Sequence, residues 1–266
     1  MKPSTSFKIT IATVLAAGFL GTSVLPVLAL SRFSQARESS SGSQGILVAG
    51  RLGFRVRVRP SRSRTSGFAR GSCPPVTIAP VTPPTRPEET ASDKEAPVDS
   101  TASAHPTLFV NIPAEMPGAT AQLTLQNEAG EQELYSTKFT LTGKPGIVGI
   151  RIPDSVPPLQ VGQKYLWQVS VACNPNKPEE RLFAMSWVQR VALDPTVASQ
   201  INQATLREKS ALYAEAGIWQ DTLSTLAELR LSNPNDQAVA QDWASLMQSV
   251  NLQDFANKPV VQIAGD

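Results

Sequence analysis

Apolar and polar side chains alternate along the stretch Tyr165–Cys173, whose sequence is Tyr-Leu-Trp-Gln-Val-Ser-Val-Ala-Cys. Its odd-numbered positions are all apolar or sulfur-bearing, while Gln168 and Ser170 lie between them. A period of two is typical of a β-strand with one face in a core, because successive side chains of a strand point to opposite sides. The pattern therefore predicts a central strand, which ends at one of only two cysteines in the chain.

Five further segments between residues 105 and 193 show a similar alternation and are separated by turn residues, as in Asn127-Glu-Ala-Gly130 and Gly143-Lys-Pro-Gly146. Their apolar positions are Leu108, Val110 and Ile112; Leu123 and Leu125; Tyr135, Phe139 and Leu141; Val148, Ile150 and Ile152; and Phe183, Met185, Trp187, Val191 and Leu193. Six short strands at regular spacing predict an antiparallel β-sandwich.

The segment before the central strand, Leu159-Gln-Val-Gly-Gln-Lys-Tyr165, resembles the turn before strand F of fibronectin type III domains. In those domains the tyrosine hydroxyl bonds back to upstream backbone and forms a tyrosine corner. The resemblance implies an Ig-like, fibronectin-III-like sandwich over residues 105–193. It implies nothing about function, because such folds host many unrelated activities.

After residue 193 the apolar spacing becomes helical. Asp194-Pro195 predicts a helix start, and Thr205-Leu-Arg-Glu208 predicts a capping box at a second helix. The run from Ala211 to Pro234, with Gly217 at the turn, resembles one tetratricopeptide-type hairpin, and a further helix is expected over about 236–249. Stable arrays need about three such repeats, so we expect these helices to dock on the sandwich. The predicted fold class is α+β, with sandwich 105–193, helices 194–256 and tail 257–266.

The first 29 residues predict a signal peptide. Lys2 and Lys8 are followed by an apolar run, and Val27-Leu-Ala29 offers small residues for cleavage after Ala29. The alternative is a membrane anchor, but glycines and a proline interrupt the run before it reaches the roughly 20 apolar residues that a span prefers. The pattern therefore predicts export to the periplasm or cell envelope, with no stable membrane span after cleavage.

Residues 30–104 predict a disordered basic arm and Pro-rich linker, since they contain few large apolar residues. The formal net charge of the whole chain is +2, yet residues 30–75 carry nine arginines against one acid, Glu38. The rest of the mature chain is acidic, so arm and body could associate with each other as readily as with an external anionic partner. The candidate contacts to an anionic ligand are Arg51, Arg55, Arg57, Arg59, Arg62, Arg64 and Arg70.

The two cysteines of an exported chain predict one disulfide, Cys73–Cys173, with two separate thiols as the alternative. The bond would close a loop of about 100 residues and stabilise the fold by about 4–5 kcal/mol in the chain-entropy model. It would also fix the root of the arm to the end of the central strand.

The chain offers little for catalysis. His105 is the only histidine, and its position beside Pro106 predicts a solvated linker residue and not a catalytic base. Two cysteines and one histidine do not make a four-ligand zinc site, and no calcium or phosphate loop is present. A carboxylate pair for hydrolysis stays open, because it needs only two acids brought together in space. Trp243 is expected in the core, with an exposed sugar-binding platform as the alternative. We expect no catalytic residues, cofactor or metal.

Several blocks carry a resemblance to a known family: Arg70-Gly-Ser-Cys73-Pro74, Gly143-Lys-Pro-Gly-Ile-Val148, Cys173-Asn-Pro175, Trp187-Val-Gln-Arg-Val191 and Leu212-Tyr-Ala-Glu-Ala-Gly-Ile-Trp219. They resemble the exported cyanobacterial domain-of-unknown-function family 928 (DUF928) over most of the chain after the signal segment. The resemblance implies a photosynthetic bacterium and a cell-envelope location. It brings no catalytic residues.

The expected function is a non-enzymatic protein-interaction or structural module of the cell envelope. One alternative is a binding module for an anionic or carbohydrate envelope polymer through the arginines of the arm. A second is a hydrolase that uses carboxylates alone. Export argues against a nucleic-acid partner.

Overall fold

The structure, a computed structural model, describes residues 52–54, 59–61, 68–71, 73, 75–84, 96–174 and 176–265. All of them belong to one compact unit, 45–266. The strands of this part of the chain are β1 (Arg59–Ser61), β2 (Phe68–Arg70), β3 (Ala79–Pro80), β4 (Ala96–Thr101), β5 (Thr107–Ile112), β6 (Thr120–Gln126), β7 (Glu133–Thr140), β8 (Gly146–Arg151), β9 (Lys164–Ala172), β10 (Arg181–Arg190) and β11 (Val260–Ala264). The helices are α1 (Pro195–Gln203), α2 (Leu206–Ala216), α3 (Trp219–Ser232), α4 (Gln237–Ser249) and a short 3-10 helix (Gln253–Phe255).

The strands of the described segments form two mixed sheets. One has seven strands in the order β1-β4-β10-β9-β6-β7, with β2 also paired to β10, and the other has four in the order β11-β8-β5-β3. The predicted central strand is β9, which pairs with β10 on one side and β6 on the other. Apolar side chains of both sheets, such as Trp167, Leu123 and Ile150, meet in one buried cluster. The predicted order of β-strands followed by helices, an α+β arrangement, is confirmed.

The six predicted strands pair with one another only in antiparallel fashion, but each sheet also contains one parallel pair that was not expected. β4 runs parallel to β10, and β11 runs parallel to β8. Both β4 and β11 come from outside residues 105–193, so each reaches its partner by a long connection and not by a hairpin. Side-chain alternation shows which residues share a face of a strand, but it does not show the direction of the neighbouring strand.

The predicted boundaries of the sandwich are also wrong in the described segments. Ile78 and Val81 are fully buried, β4 carries the buried Thr101, and β11 occupies what was expected to be a tail. The segments 75–84 and 96–104 are therefore packed parts of the body and not a disordered linker. They contain few apolar residues, but the sheets and helices around them supply the surface that buries them.

The predicted inward face of β10 is wrong as well. Ser186 and Ala184 are buried, whereas Trp187 is only half-buried. The pairing with β9 explains this, because Ser186 lies directly opposite Trp167 and side chains directly opposite in an antiparallel pair share a face. The small side chains leave room for the indole ring of Trp167.

The helices dock on the outer face of the four-stranded sheet, as expected. Phe109 of β5 and Ile147 of β8 pack in one cluster with Trp219, Leu223 and Trp243. β5 is consequently buried on both faces along its whole length. None of the described helices is long and apolar enough to cross a membrane.

The helix starts follow the sequence signals. The carboxylate of Asp194 accepts a hydrogen bond from the backbone N–H of Thr196, and Thr205 and Glu208 form the predicted capping box. Gly217 caps the C-terminal end of α2, and its φ of 73° lies in the left-handed region that favours glycine.

The predicted disulfide Cys73–Cys173 is confirmed, with the two Cα atoms 5.6 Å apart. It attaches residue 73 to the end of β9. Near the start of the same strand, the hydroxyl of Tyr165 accepts a hydrogen bond of 2.8 Å from the backbone N–H of Gln160, which is the bond expected of a tyrosine corner.

Candidate functional site

A polar cleft of about 390 Å³ opens where helices α2 and α3 meet the connection between β4 and β5 and the end of β8. One face of α3 supplies Gln220, Asp221, Ser224, Thr225 and Glu228. These positions share a face because they are spaced by one, four, five and eight residues along a helix with 3.6 residues per turn. The other contributors are Thr101, Ser103, His105, Pro106, Thr107, Arg151, Asp154 and Tyr213.

The carboxylate of Asp221 lies in the wall of the cleft. Its Oδ2 accepts a hydrogen bond of 2.8 Å from the hydroxyl of Thr101 and one of 3.0 Å from the backbone N–H of Ala102. Burial raises the pKa of Asp221 above its ordinary value, and these hydrogen bonds oppose the rise. The carboxyl group of Asp221 therefore links α3 to the end of β4 and also lines the cleft.

Tyr213 reaches the cleft from α2. Burial raises the pKa of its hydroxyl, and the negative charge of Asp221 adds to the rise. The phenol therefore stays protonated and able to donate a hydrogen bond well above neutral pH.

Arg151 and Glu228 form an ion pair at the rim of the cleft, with 2.7 Å between Nη2 and Oε1. More than a third of each side chain is exposed. An ion pair exposed to this degree contributes little stability, so its effect is mainly to orient the two side chains.

His105 lies in the wall of the cleft, so the prediction of a solvated linker histidine is wrong. Its Nε2 is 2.8 Å from the carbonyl oxygen of Val156, its Nδ1 is 3.1 Å from Oδ1 of Asp154, and only 18% of its side chain is exposed. Both neighbouring atoms are hydrogen-bond acceptors, so the ring nitrogen that carries the proton donates to the acceptor it faces.

Polar contacts fix the α3 wall of the cleft to the sheets. The hydroxyl of Ser100 donates to the carbonyl oxygen of Gly217 at 2.6 Å, and Nε2 of Gln220 donates to Oδ2 of Asp99 at 3.1 Å. The indole N–H of Trp219 donates to the carbonyl oxygen of Val81 at 2.9 Å. Segment 101–107 therefore lines the cleft, and segments 75–84 and 96–100 help to hold α3 in place; the sequence assigned most of these residues to a linker.

The arginines predicted to bind an anionic ligand mostly fall outside the described residues. This applies to Arg51, Arg55, Arg57, Arg62 and Arg64. The backbone of Arg59 lies in β1 and that of Arg70 in β2. The proposal that this set binds anions stays a prediction.

Three of the four tryptophans, Trp167, Trp219 and Trp243, are buried, with 1% exposure or less. None of these three rings can therefore serve as an exposed platform for a sugar. Within the described ranges, no group of three or more His, Cys, Asp or Glu side chains is placed to hold a metal ion.

Sequence reasoning missed the cleft because it followed only the apolar positions of α3. The same helix carries a second, polar stripe at helical spacing, running from Gln220 to Glu228. A polar stripe is ordinarily the solvated face of a surface helix. Only the hydroxyl-rich segment 100–107, folded over that stripe, turns it into the wall of a cavity.

The fold and the cleft define a disulfide-linked α+β protein with a polar cavity of the size that small ligands occupy. The chain belongs to the family described as Domain of Unknown Function (DUF928), whose model matches residues 61–260. A comparison with curated proteins found no match. Among solved structures, the one titled "Crystal structure of the C-terminal domain of wzt" is similar at 10% identity over 54% of this chain and 84% of that chain, with a TM-score of 0.29.

Proposed function

We propose that this chain is an exported, non-enzymatic interaction module in the cell envelope of a photosynthetic bacterium. The disulfide supports export, since such bonds persist in oxidising compartments. The N-terminal pattern of Lys2, Lys8 and the small residues up to Ala29 supports the same route.

The observation that carries the non-enzymatic assignment is that the ionisable side chains of the cleft are held by other groups of the protein. His105 has both ring nitrogens against acceptors, Asp221 receives two hydrogen bonds, and Glu228 is paired with Arg151. Histidine is the commonest general base, and Nε2 of His105 faces the carbonyl oxygen of Val156 and not a serine or threonine hydroxyl that it could activate. This arrangement supports a binding role for the cleft over nucleophilic catalysis.

A hydrolase that uses carboxylates alone is less well supported. Asp221 and Glu228 share the cleft, but they lie seven residues apart on one helix and so belong to the same wall. Glycoside hydrolysis requires two carboxyl groups about 5–9.5 Å apart on either side of the scissile bond. The third carboxylate of the cleft, Asp154, follows β8, and its Oδ1 lies 3.1 Å from Nδ1 of His105, so it is paired with the histidine.

The finer fold assignment belongs to the same proposal. The bond from Gln160 to Tyr165 supports an Ig-like or fibronectin-III-like sandwich, and the left-handed turn at Gly217 supports a tetratricopeptide-like hairpin. Both are folds that commonly present binding surfaces.

Affinity capture distinguishes whether the protein binds a protein partner or an anionic polymer. The disulfide-bonded chain from Leu30 onward serves as bait for envelope extracts, and a matched bait has Arg51, Arg55, Arg57, Arg62 and Arg64 replaced by glutamine. A protein partner of the folded body is expected on both baits and at raised salt. A phosphate-rich or carboxylate-rich polymer is expected only on the unmodified bait and only at low salt, because exposed charges are screened.

Incubation of the same chain with envelope polysaccharide tests whether the protein has hydrolase activity. Reducing ends should not accumulate above the level of a heat-denatured control. Release of sugar that is abolished by Asp221→Asn and by Glu228→Gln would show that the protein is a hydrolase and overturn the proposal.

A further inference from the structure

We propose that the polar cleft binds one uncharged sugar unit of an envelope glycan. This deepens the proposed function, because it assigns a ligand class to a site of the folded body and not to the basic arm. The argument rests on the size of the cleft, the chemistry of its walls, its charge and its rigidity.

The size and lining of the cleft fit a small polyhydroxylated ligand. Its volume of about 390 Å³ is within the range of small-molecule sites. The walls carry hydroxyl, amide and carboxylate groups, including Ser224, Gln220 and Tyr213, and Pro106 is the only side chain among the lining residues with no polar atom. The lining is mostly polar, so the hydroxyl groups of a sugar would find donors and acceptors there that a lipid chain could not use.

The charge of the cleft gives anionic ligands no advantage. Three carboxylates, Asp154, Asp221 and Glu228, line it together with one guanidinium, Arg151, and one histidine, His105. Phosphate, sulfate or uronate groups would therefore find no surplus of cationic groups in this site. The ligand of the cleft is therefore chemically different from the anion that an arginine-rich arm would attract.

One buried acceptor in the wall of the cleft lacks a hydrogen-bond partner among the described residues. Gln220 is 1% exposed, and its Oε1 accepts no hydrogen bond from the described residues. A buried amide oxygen without a partner is costly, and a hydroxyl of a bound ligand or a water molecule that reached it from the cleft would relieve that cost.

The walls are already fixed before any ligand arrives. The bonds from Thr101 to Asp221 and from Ser100 to Gly217 tie α3 to the end of β4. A preformed site loses little conformational entropy on binding, so even a few hydrogen bonds to a sugar give measurable affinity.

Titration of the disulfide-bonded chain with a panel of neutral mono- and disaccharides tests the proposal by calorimetry and by NMR shift changes. Polygalacturonate oligomers serve as the anionic probe, and each probe is raised to about 10 mM, well above the Kd of a millimolar site. At least one neutral sugar should bind. Tyr213→Phe and Glu228→Gln should each weaken it about 3- to 10-fold, as expected for one lost hydrogen bond.

The matched control is Tyr135→Phe, which removes one hydroxyl from a tyrosine outside the cleft and should leave the affinity unchanged. Ser224→Ala removes another hydroxyl from the cleft. It is used in place of Tyr213→Phe or Glu228→Gln if one of those variants does not fold. The proposal is overturned if no neutral sugar binds, if the cleft variants bind as well as the parent, or if polygalacturonate binds in the cleft more tightly than the neutral sugars. None of these outcomes affects capture of a protein partner, so failure of this inference and failure of the proposed function are distinguishable.

Discussion

The hydroxyl of Thr101 donates a hydrogen bond of 2.8 Å to Oδ2 of Asp221, across 120 residues of sequence. It joins the end of β4 to the first turn of α3 and closes one wall of the polar cleft. Asp221 is also placed favourably for the helix dipole, since a negative charge in the first turn is stabilising. The pKa of Asp221 is nevertheless raised, so burial affects it more than these hydrogen bonds do.

The raised pKa of Asp221 predicts a pH dependence of stability. The folded protein holds this proton to higher pH than the unfolded chain, whose aspartate titrates near its ordinary value of 3.8. The stability that protonated Asp221 contributes is therefore complete below pH 3.8 and is lost as the pH rises through the folded pKa. Urea titrations at several pH values measure the free energy of unfolding of the parent and of Asp221→Asn. The parent's value minus the variant's value should fall as the pH rises from 3.8 through the folded pKa.

Thr101→Val provides the matched control for this pH dependence. The substitution deletes a hydrogen bond that lowers the pKa of Asp221, so the folded pKa should be higher in this variant. The fall in the free energy of unfolding with rising pH should then extend to higher pH than in the parent. A difference between parent and Asp221→Asn that grows with rising pH would contradict the assignment.

The disulfide is predicted to be a major source of stability. It links residues separated by 100 positions, and in the chain-entropy model a loop of that length is worth about 4–5 kcal/mol. Denaturant unfolding of the Cys73→Ser, Cys173→Ser double variant should show a loss of that order. Reductant should lower the stability of the parent but not of the double variant. Two titratable thiols in the purified, non-reduced parent would refute the bond itself.

Tyr165→Phe is predicted to destabilise the fold without changing its core volume. The substitution leaves the backbone N–H of Gln160 without the acceptor that now lies 2.8 Å away, at a cost of about 1 kcal/mol. Chemical denaturation measures the difference. Tyr135→Phe is the control, and equal losses for the two variants would show that the bond to Gln160 contributes nothing.

The C-terminal strand is predicted to be an integral part of the four-stranded sheet. β11 pairs with β8, and the side-chain amide of Gln262 also bonds the backbone N–H of Thr142 and the carbonyl oxygen of Thr140, near the end of β7. Truncation after Lys258 should lower the free energy of unfolding by at least about 2 kcal/mol, because apolar surface becomes exposed.

The same truncation should increase aggregation, since it uncovers an edge of β8. Gln262→Ala is the milder comparison and should lose only the two side-chain bonds. If the truncated chain unfolds at the same denaturant concentration as the parent, the strand has no structural role.

Local patterns predicted the elements well where one face of a segment is clearly apolar. β9 matches the stretch that starts at Tyr165, and the capping box at Thr205 begins α2 as expected. β10 failed, because apolar residues lie on both of its faces, and the packing of Ser186 beneath Trp167 decided between them. β3 and β4 were missed because their segments carry few large apolar residues and are buried by their neighbours. β11 was missed although it is mostly apolar, because its partner β8 lies far earlier in the chain.

By itself, the sequence determined the α+β order of elements, the pairing of Cys73 with Cys173 and the helix ends, because each depends on neighbouring residues or on a simple count of cysteines. Only the tertiary structure decided the parallel pairings of β4 and β11 and the assembly of the cleft. The groups that meet there, such as Thr101, Arg151 and Asp221, are far apart along the chain and unremarkable one by one. Their proximity is set by how the helices pack on the sheet, which no local spacing of residues records.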